Sequence, residues 1–325
     1  MRITVLSGGI GGARFLTGLK AVTDTGRDPV TVIGNTADDI WLFGLKVCPD
    51  LDTVMYTLGG GISPERGWGR DQETWNAKDE LAAYGVQPTW FGLGDRDLAT
   101  HIVRTQMLHA GYTLSQVTEA LCARWQPGVQ LLPMTDDRVE THVVIDDPDG
   151  GGRRAVHFQE YWVRLQGPKA YDVVPIGAPD ATPARGVIEA IAESDVVVLP
   201  PSNPVVSIGT ILAVPGLADA VRSTPAAVVG VSPIIGGAPV RGMADRLLPV
   251  LDVDVSAAAV ARHYGARSRG GLLDGWLVDE SDEADVTGLA SQGIPTVARP
   301  LLMSDPDATA AIAGAAIDLA CGLRQ

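Results

Sequence analysis

A short glycine-rich segment near the amino end does most to restrict how this chain can fold. Residues 7–14 read SGGIGGAR, directly after the apolar run ITVL and directly before the helix-like run FLTGLKAV. A glycine loop that joins a strand to a helix is typical of the first unit of a parallel β/α sheet, and such loops often hold phosphate groups. The segment therefore predicts a Rossmann-like beginning to the fold.

Strand-like and helix-like runs alternate at both ends of the chain, which predicts an α/β fold: a Rossmann-like parallel sheet with helices on both faces. The middle of the chain is mainly helix-like, and alternating apolar runs flank the turn sequence DPDGGGRR, which predicts a β-hairpin. We therefore expect a core formed by residues 1–73 and 175–325, with residues 74–174 inserted as a mainly helical subdomain that carries the hairpin.

Charge and composition restrict the partners of the protein. The net charge is −14 and the isoelectric point about 4.7, so the long-range field repels nucleic acid and anionic lipid. We expect neither a signal peptide nor a transmembrane helix, which needs an apolar stretch of roughly 18 residues. Cys48, Cys122 and Cys321 are far apart and form no CxxC pair, which argues against a disulfide framework or a zinc site. These features predict a cytoplasmic protein that binds neither nucleic acid nor membranes.

The glycine loop matches neither of the two common phosphate-binding motifs. A dinucleotide fingerprint beginning at Gly9 finds its second glycine at Gly11, but the third position is Arg14, and no Walker lysine follows. Glycines still allow close approach of an anion to a helix amino end, which makes Gly8, Gly9, Gly11, Gly12 and Arg14 candidate phosphate contacts. The alternative is that the glycines serve only the packing of helix on sheet.

Four aspartates follow the second predicted strand. Asp38 and Asp39 lie in GNTADDIWLF, and Asp50 and Asp52 lie in CPDLDTVMY. Carboxylates beside an anion loop suit a shared cation, and Mg²⁺ commonly takes one or two carboxylates together with phosphate oxygens. All four are therefore candidate magnesium ligands. The alternative is capping of helices, which fits Asp38 and Asp52 best, whereas Asp39 and Asp50 are the candidates for catalysis.

Two further segments contribute polar candidates to the same predicted cleft. In PPSNPVVSIGT, Ser202, Asn203 and Ser207 follow a predicted core strand and offer neutral hydrogen bonds to a base or a sugar. In GLGDRDLATH, Asp95 and Arg96 form a charged cluster ahead of a helix. Salt-bridged helix capping is an equally good explanation of that cluster.

Taken together, these motifs resemble one enzyme family along nearly the whole chain. The stretches SGGIGGARFL, NTADDIWLFGLKVCPDLDTVMYTL, RGWGRDQETWNAKDELAAYG, GLGDRDLATHIVRTQMLHAG, PPSNPVVSIGTIL and SPIIGGAPVRGMAD are similar to the 2-phospho-L-lactate transferase family, also called CofD or FbiA. The resemblance implies a homodimeric, Mg²⁺-dependent enzyme of coenzyme F-420 biosynthesis. It would join the deazaflavin Fo to a guanosine diphosphate-activated three-carbon acid and release GMP. The RGWG and NAKDELAAYGVQP segments favour the actinobacterial branch and an enolpyruvyl donor.

The resemblance also implies roles for the candidate residues. The glycine loop and the Ser202 segment would hold the guanosine diphosphate group, while Asp39 and Asp50 would share Mg²⁺ and the proton of the attacking ribityl hydroxyl. The inserted subdomain would cover the acceptor Fo. Its candidate contacts are Thr89, Gly94, Asp95 and Arg96.

Two other functions are weighed against this one. A related Rossmann-like family binds uridine-diphosphate sugars as non-catalytic regulators, but a pure binder has less need of the NTADD and PDLDT carboxylates. A NAD-dependent dehydrogenase is disfavoured because the dinucleotide fingerprint fails.

Overall fold

The computed structural model of the chain describes residues 1–24, 26–148 and 150–324. The strands are β1 (Ile3–Ser7), β2 (Val30–Gly34), β3 (Ile40–Leu42), β4 (Leu45–Val47), β5 (Gln130–Pro133), β6 (Glu140–Asp146), β7 (Arg153–His157), β8 (Ala170–Ile176), β9 (Val196–Leu199), β10 (Ala227–Val231), β11 (Ile234–Ile235), β12 (Ala238–Pro239), β13 (Gly275–Val278) and β14 (Thr296–Ala298).

The α-helices are α1 (Gly9–Val22), α2 (Pro49–Leu58), α3 (Asn76–Ala83), α4 (Asp95–His109), α5 (Leu114–Trp125), α6 (Val187–Ala192), α7 (Thr210–Ala213), α8 (Leu217–Ser223), α9 (Ala244–Leu247), α10 (Ala257–Tyr264), α11 (Val286–Ser291) and α12 (Pro306–Leu323). Two π-helical turns cover Glu160–Arg164 and Pro204–Gly209.

A seven-stranded sheet forms the centre of the described fold. Its strand order is β14-β13-β10-β9-β1-β2-β5, and every neighbouring pair is parallel. The chain order reverses between β1 and β9, which pair with Ile3 opposite Val196. This reversal is the topological switch point of a doubly wound sheet, where ligands bind beyond the carboxyl ends of the strands. The predicted α/β Rossmann-like fold is confirmed.

Both faces of the sheet are covered by helices. Along β9 the valines alternate: Val196 and Val198 face one apolar cluster, and Val197 faces the other. Helices α1, α2, α5 and α12 contribute to the first cluster, whereas α6, α7, α8 and α10 contribute to the second. A strand buried on both faces reads as a continuous apolar run, which explains the sequence VVVL.

The region predicted as an insertion contains a strand of the core. Helices α3, α4 and α5 lie within residues 74–174 as expected, but β5 pairs with β2 and forms one edge of the central sheet. The predicted hairpin is formed by β6 and β7, with His142 opposite His157. Asp149, in its turn, lies outside the described residues. Strand β8 pairs with β6 on the other side, so the hairpin becomes a three-stranded antiparallel sheet.

Helix α12 departs from the expectation that no apolar stretch approaches membrane-spanning length. It has 18 residues with a mean hydropathy of 1.2, and by length and composition alone it is apolar enough to cross a membrane. The helical segments Pro204–Ala213 and Leu217–Ser223, which are bent relative to each other, are long and apolar enough only if they are counted together as one span. In the fold, α12 packs on α1 with Ile312, Ala313 and Ala316 buried.

Candidate active site

The loops that follow β1 and β9 meet at the switch point, as the sequence predicts. The Ser202 hydroxyl donates to the carbonyl of Gly8 at 2.8 Å, and it accepts from the Gly8 amide at 3.3 Å. Ser202 is buried. Its hydroxyl therefore links the two loops, although Ser202 and Gly8 lie 194 residues apart in the sequence.

The glycines of the first loop allow a close approach between chain segments. A Cβ atom on Gly11 would overlap the carbonyl oxygen of Pro201, and one on Gly12 would overlap the hydroxyls of Ser7 and Ser202. Gly9 has a φ of +65°, a left-handed conformation that favours glycine. Packing thus accounts for much of the glycine content of the loop, and phosphate binding at the same place stays a prediction.

The amino end of α1 opens onto this cleft. Gly8 is its N-cap and supplies no side-chain cap, and the Gly9 amide donates to the carboxylate of Asp50, so this helix end already faces one anionic group. Arg14 lies in the second turn of the helix rather than the first, and its side chain is exposed.

Asp50 lies beside this helix end, held by a residue that the sequence analysis did not single out. Asn35, directly after β2, donates to Asp50 Oδ2 at 2.9 Å and to the carbonyl of Val206 at 3.2 Å. Its own side-chain oxygen accepts from the hydroxyl of Thr210 at 2.9 Å and from the Ala37 amide at 3.0 Å. Asn35 is fully buried and connects β2, α2 and the segment after β9.

Asp38 and Asp50 form a pair of interacting buried carboxylates. Burial raises the pKa of Asp50 to about 6, although Asn35 and the Gly9 amide favour its ionised form. Burial, followed by the charge of Asp50, raises the pKa of Asp38 well above its usual range. Asp38 Oδ1 is buried and has no hydrogen-bond partner among the described residues. The capping alternative does not fit Asp38, because strand β3 follows it rather than a helix.

The other two aspartates are neutralised by cations. Asp39 forms an ion pair with Lys46 across the β3–β4 hairpin, at 3.1 Å. Burial raises the pKa of Asp39, and Lys46 opposes that rise. Asp52, in the first turn of α2, forms a buried ion pair with Arg104 of α4. The structure therefore distinguishes Asp38 and Asp50, which lie beside no cation that forms an ion pair with them among the described residues, from Asp39 and Asp52, which each form an ion pair.

The donor set fits a divalent cation only with oxygen atoms from a ligand. Within residues 1–24, 26–148 and 150–324, no three His, Cys, Asp or Glu side chains are gathered closely enough to hold a metal. Buried oxygens of Asp38, Asp39 and Asp52 have no hydrogen-bond partner among the described residues. Such carboxylates match the way proteins bind Mg²⁺ through one or two carboxylates and substrate phosphates, and Asp38 is the one of the three without an ion-pair partner in the described residues.

Around Asp95, the predicted acceptor contacts join two helix ends. Asp95 accepts from the hydroxyl of Thr74 at 2.6 Å and from the amides of Asn76 and Ala77 at 3.0 and 2.9 Å, at the start of α3. These bonds lower the pKa of Asp95 to about 2. The carboxylate of Glu73 accepts from the Arg96 amide at 2.6 Å. Both contacts match the capping alternative.

Gly94 and Thr89 have different surroundings. Gly94 is the N-cap of α4, where a Cβ atom would overlap the side chain of Glu73. Thr89 lines a largely apolar cavity of about 260 Å³ between α3, α4 and the β3–β4 turn. The other lining residues are Phe43, Lys78, Asp79, Leu81, Ala82, Val86, Pro88, Phe91, Leu93 and Leu98.

In the loop after β9, Asn203 also has a structural partner. Its side-chain oxygen accepts from the amides of Val205 and Val206 at 2.9 and 3.2 Å and so caps the π-helical turn. Ser207 is buried against Gly8, where a Cβ on the glycine would lie 2.6 Å from the Ser207 Cβ. The β9 loop therefore reaches the glycine loop through Ser202 and Ser207.

Several residues at the site escaped the sequence analysis. The partners of Asn35, Lys46 and Arg104 are set by the fold: Arg104 reaches Asp52 from another helix, Asn35 reaches Asp50 of α2, and Lys46 meets Asp39 through the β3–β4 hairpin. For Asn35 a local signal existed, since a polar side chain directly after a buried parallel strand lies at the ligand-binding edge. Arg104 had none, because an arginine in an amphipathic helix ordinarily points to solvent.

Comparison with known proteins identifies the family. The family model described as "2-phospho-L-lactate transferase CofD" matches residues 3–301. The chain belongs to this family. Proteins named phosphoenolpyruvate transferase are 65% identical in Streptomyces griseus, 63% in Streptomyces coelicolor and 58% in Mycolicibacterium smegmatis. These alignments cover 98%, 100% and 98% of this chain and 98%, 100% and 99% of the relatives. The predicted resemblance is confirmed.

Solved structures support the fold. Protein BH3568 from Bacillus halodurans matches this CofD-family chain with a TM-score of 0.63 at 18% identity, covering 97% of this chain and 98% of the other. A second structure of that protein, described as a member of the UPF0052 family, gives a TM-score of 0.60 at 16% identity. At this identity the likeness concerns the fold alone.

Proposed function

We propose that the protein transfers a phosphoenolpyruvyl group from its guanosine diphosphate-activated form to the terminal ribityl hydroxyl of Fo, with release of GMP, in coenzyme F-420 biosynthesis. The observation that carries the proposal is the placement of the buried carboxylates of Asp38 and Asp50 after β2, where Asn35 and the amino end of α1 hold Asp50 at the carboxyl edge of the parallel sheet. Membership of the family supports a transferase, and the names of the actinobacterial relatives support the enolpyruvyl donor over the lactyl one.

In the proposed reaction, the hydroxyl oxygen of Fo attacks the phosphorus nearest the three-carbon acid. The bond between that phosphorus and the bridging oxygen breaks, and GMP leaves with the electron pair. The amino end of α1 binds the diphosphate, and the loop after β9 closes the nucleotide side of the cleft. Such transfers depend mainly on positioning and on stabilisation of charge, which a rigid pair of loops provides.

The two carboxylates have distinguishable parts in this scheme. Asp50, with a pKa of about 6, is ionised at neutral pH and accepts or orients the hydroxyl proton. Asp38 and Asp50, together with the donor diphosphate, would hold Mg²⁺, which would neutralise the charge that develops on the leaving GMP. Asp39, already paired with Lys46, contributes through the geometry of the loop.

The acceptor would occupy the side of the cleft formed by α3, α4 and the β3–β4 turn. The cavity at Thr89 has the apolar lining that a planar tricycle requires, together with polar groups from Lys78 and Asp79. Asp95 and Arg96 would act on Fo indirectly, by fixing the helix ends around this cavity.

The test is incubation of the protein with Fo, the activated donor and Mg²⁺, with GMP and the product followed by mass spectrometry. Asp50→Asn should reduce transfer by about 10²- to 10⁴-fold, the usual cost of losing a proton acceptor. Asp38→Asn should also reduce transfer strongly, through weaker binding of Mg²⁺. Asp39→Asn is the matched comparison and should retain more activity. Equal losses in all three variants would contradict the assignment of the pair, and absence of GMP formation by the unaltered protein would contradict the proposed function.

Further parts of the proposal concern partners and location. Calorimetry should show guanine nucleotides binding more tightly than adenine nucleotides, and equal affinity for ADP would refute the guanosine assignment.

We also propose a cytoplasmic homodimer that binds neither nucleic acid nor membranes, in keeping with the net charge of −14. Light scattering of the purified protein tests the oligomeric state.

A further inference from the structure

Hydrogen bonds from the three-stranded sheet, and from Gln159 just after it, hold the loop that carries Asp38 and Asp39. Residues 36–39, here called the acidic loop, present three consecutive carbonyls to that sheet. The Thr141 amide donates to the carbonyl of Ala37 at 2.6 Å, and Gln159 Nε2 donates to the carbonyl of Asp38 at 3.3 Å. The ring of His157 contacts the carbonyl of Asp39 at 3.1 Å.

The hydrogen bond at Nδ1 of His157 determines which group donates in the bond between Nε2 and the carbonyl of Asp39. The Gln159 amide donates to His157 Nδ1 at 3.1 Å, so Nδ1 carries a lone pair. In the neutral ring, Nε2 then carries the hydrogen and donates to the carbonyl of Asp39. His157 and Gln159 thus form one unit, in which each side chain holds one carbonyl of the acidic loop.

This unit is attached firmly to the body of the protein. Phe158, between the two residues, and Tyr161 both belong to the apolar cluster that Val197 faces. The hydroxyl of Tyr161 donates to the carbonyl of Pro168 at 2.9 Å. Gln159 itself is 8% exposed. The acidic loop is therefore held by a rigid neighbour rather than by solvent-exposed side chains.

We propose that Gln159 and His157 are positioning residues for divalent-cation binding at Asp38, an inference that rests on the proposed function. Asp38 lies next to the like charge of Asp50, which favours separation of the two carboxylates. Backbone bonds to the residues that carry Asp38 and Asp39 oppose that separation. Residues that orient a metal ligand without touching the metal typically alter affinity by about 10- to 100-fold when they are replaced.

Gln159→Met removes the donor while nearly keeping the volume of the side chain. We expect Mn²⁺ binding to the protein in the presence of GDP, followed by loss of the free-ion EPR signal, to weaken by about 10- to 100-fold. Transfer should show a raised Mg²⁺ requirement, with kcat largely restored at saturating Mg²⁺. Tyr161→Phe is the matched control, since it removes one hydrogen bond from the same segment but none from the acidic loop. It should leave Mn²⁺ affinity unchanged.

A second pair of variants covers the case in which Gln159→Met folds poorly in a thermal melt. His157→Leu removes the donor to Asp39, whereas His157→Gln keeps a donor amide and should bind Mn²⁺ more tightly than His157→Leu. Unaltered Mn²⁺ affinity in both Gln159→Met and His157→Leu would overturn the positioning role while leaving the transferase proposal intact. If the unaltered protein binds Mn²⁺ but transfers nothing, the proposed function fails alone. If it binds no Mn²⁺, both fail.

Discussion

Replacing Asp50 by Asn should stabilise the protein while it strongly reduces transfer. Burial raises the pKa of Asp50 from 3.8 to about 6, which means that the folded state disfavours the ionised carboxylate. A rise of about 2 pKa units corresponds to about 3 kcal/mol of unfolding free energy at the usual 1.36 kcal/mol per unit. Asn removes that cost because it carries no charge.

The gain is smaller than the full electrostatic cost. Asp50 accepts from Asn35, and an asparagine presents an amide donor where one carboxylate oxygen stood, which costs about 1 kcal/mol. The expected net gain at pH 8 is therefore about 2 kcal/mol. The active site would then carry a residue that weakens the fold for the sake of catalysis, a common trade-off in enzymes.

The sign of the pH dependence provides the sharper test. Because the folded-state pKa is raised, the folded protein binds this proton more tightly than the unfolded chain does. Asp50 therefore imposes almost no cost below about pH 4, and the cost grows between about pH 4 and pH 6 and is nearly constant at higher pH. Urea unfolding of both proteins in EDTA, from pH 4 to 8, should show the advantage of Asp50→Asn emerging across that interval. A variant that is less stable at pH 8, or a difference independent of pH, would refute the reasoning.

Three other substitutions test the surrounding structure. Asp52→Asn should lower the free energy of unfolding by about 3–5 kcal/mol in urea titrations, because it leaves Arg104 buried without its partner; a stabilising effect would contradict the ion pair. Gly12→Ala should cost about 1–3 kcal/mol and lower the melting temperature, since the methyl group meets the hydroxyl of Ser202. Asp95→Ala should lower the melting temperature through loss of its bonds at the start of α3, with hydrogen exchange in that helix increased.

The fold was predictable because its signals are local. The glycine loop after ITVL and the β-branched runs of β9 and β10 mark parallel strands without reference to the rest of the chain. Strand β5 was harder to recognise, since QLLP is short and follows a helical stretch, and only its pairing with β2 makes it part of the core.

The site was predictable in composition but not in pairing. The sequence gathers four aspartates near one sheet edge, and the structure distributes them according to partners that lie far along the chain. Arg104 lies 52 residues after Asp52, whereas Lys46 reaches Asp39 because a tight hairpin folds back. Which carboxylate keeps a free charge therefore depends on tertiary contacts that no local pattern encodes.

The packing of α12 on α1 has a consequence for how the protein is made. The backbone of α12 passes so close to α1 that a Cβ atom on Gly18 would overlap the carbonyl of Thr309. On the ribosome, the helix that begins with the glycine loop is thus synthesised first and gains its covering helix only after residues 306–323 have emerged. Until then, the part of α1 around Gly18 lacks the neighbour against which it packs in the finished fold.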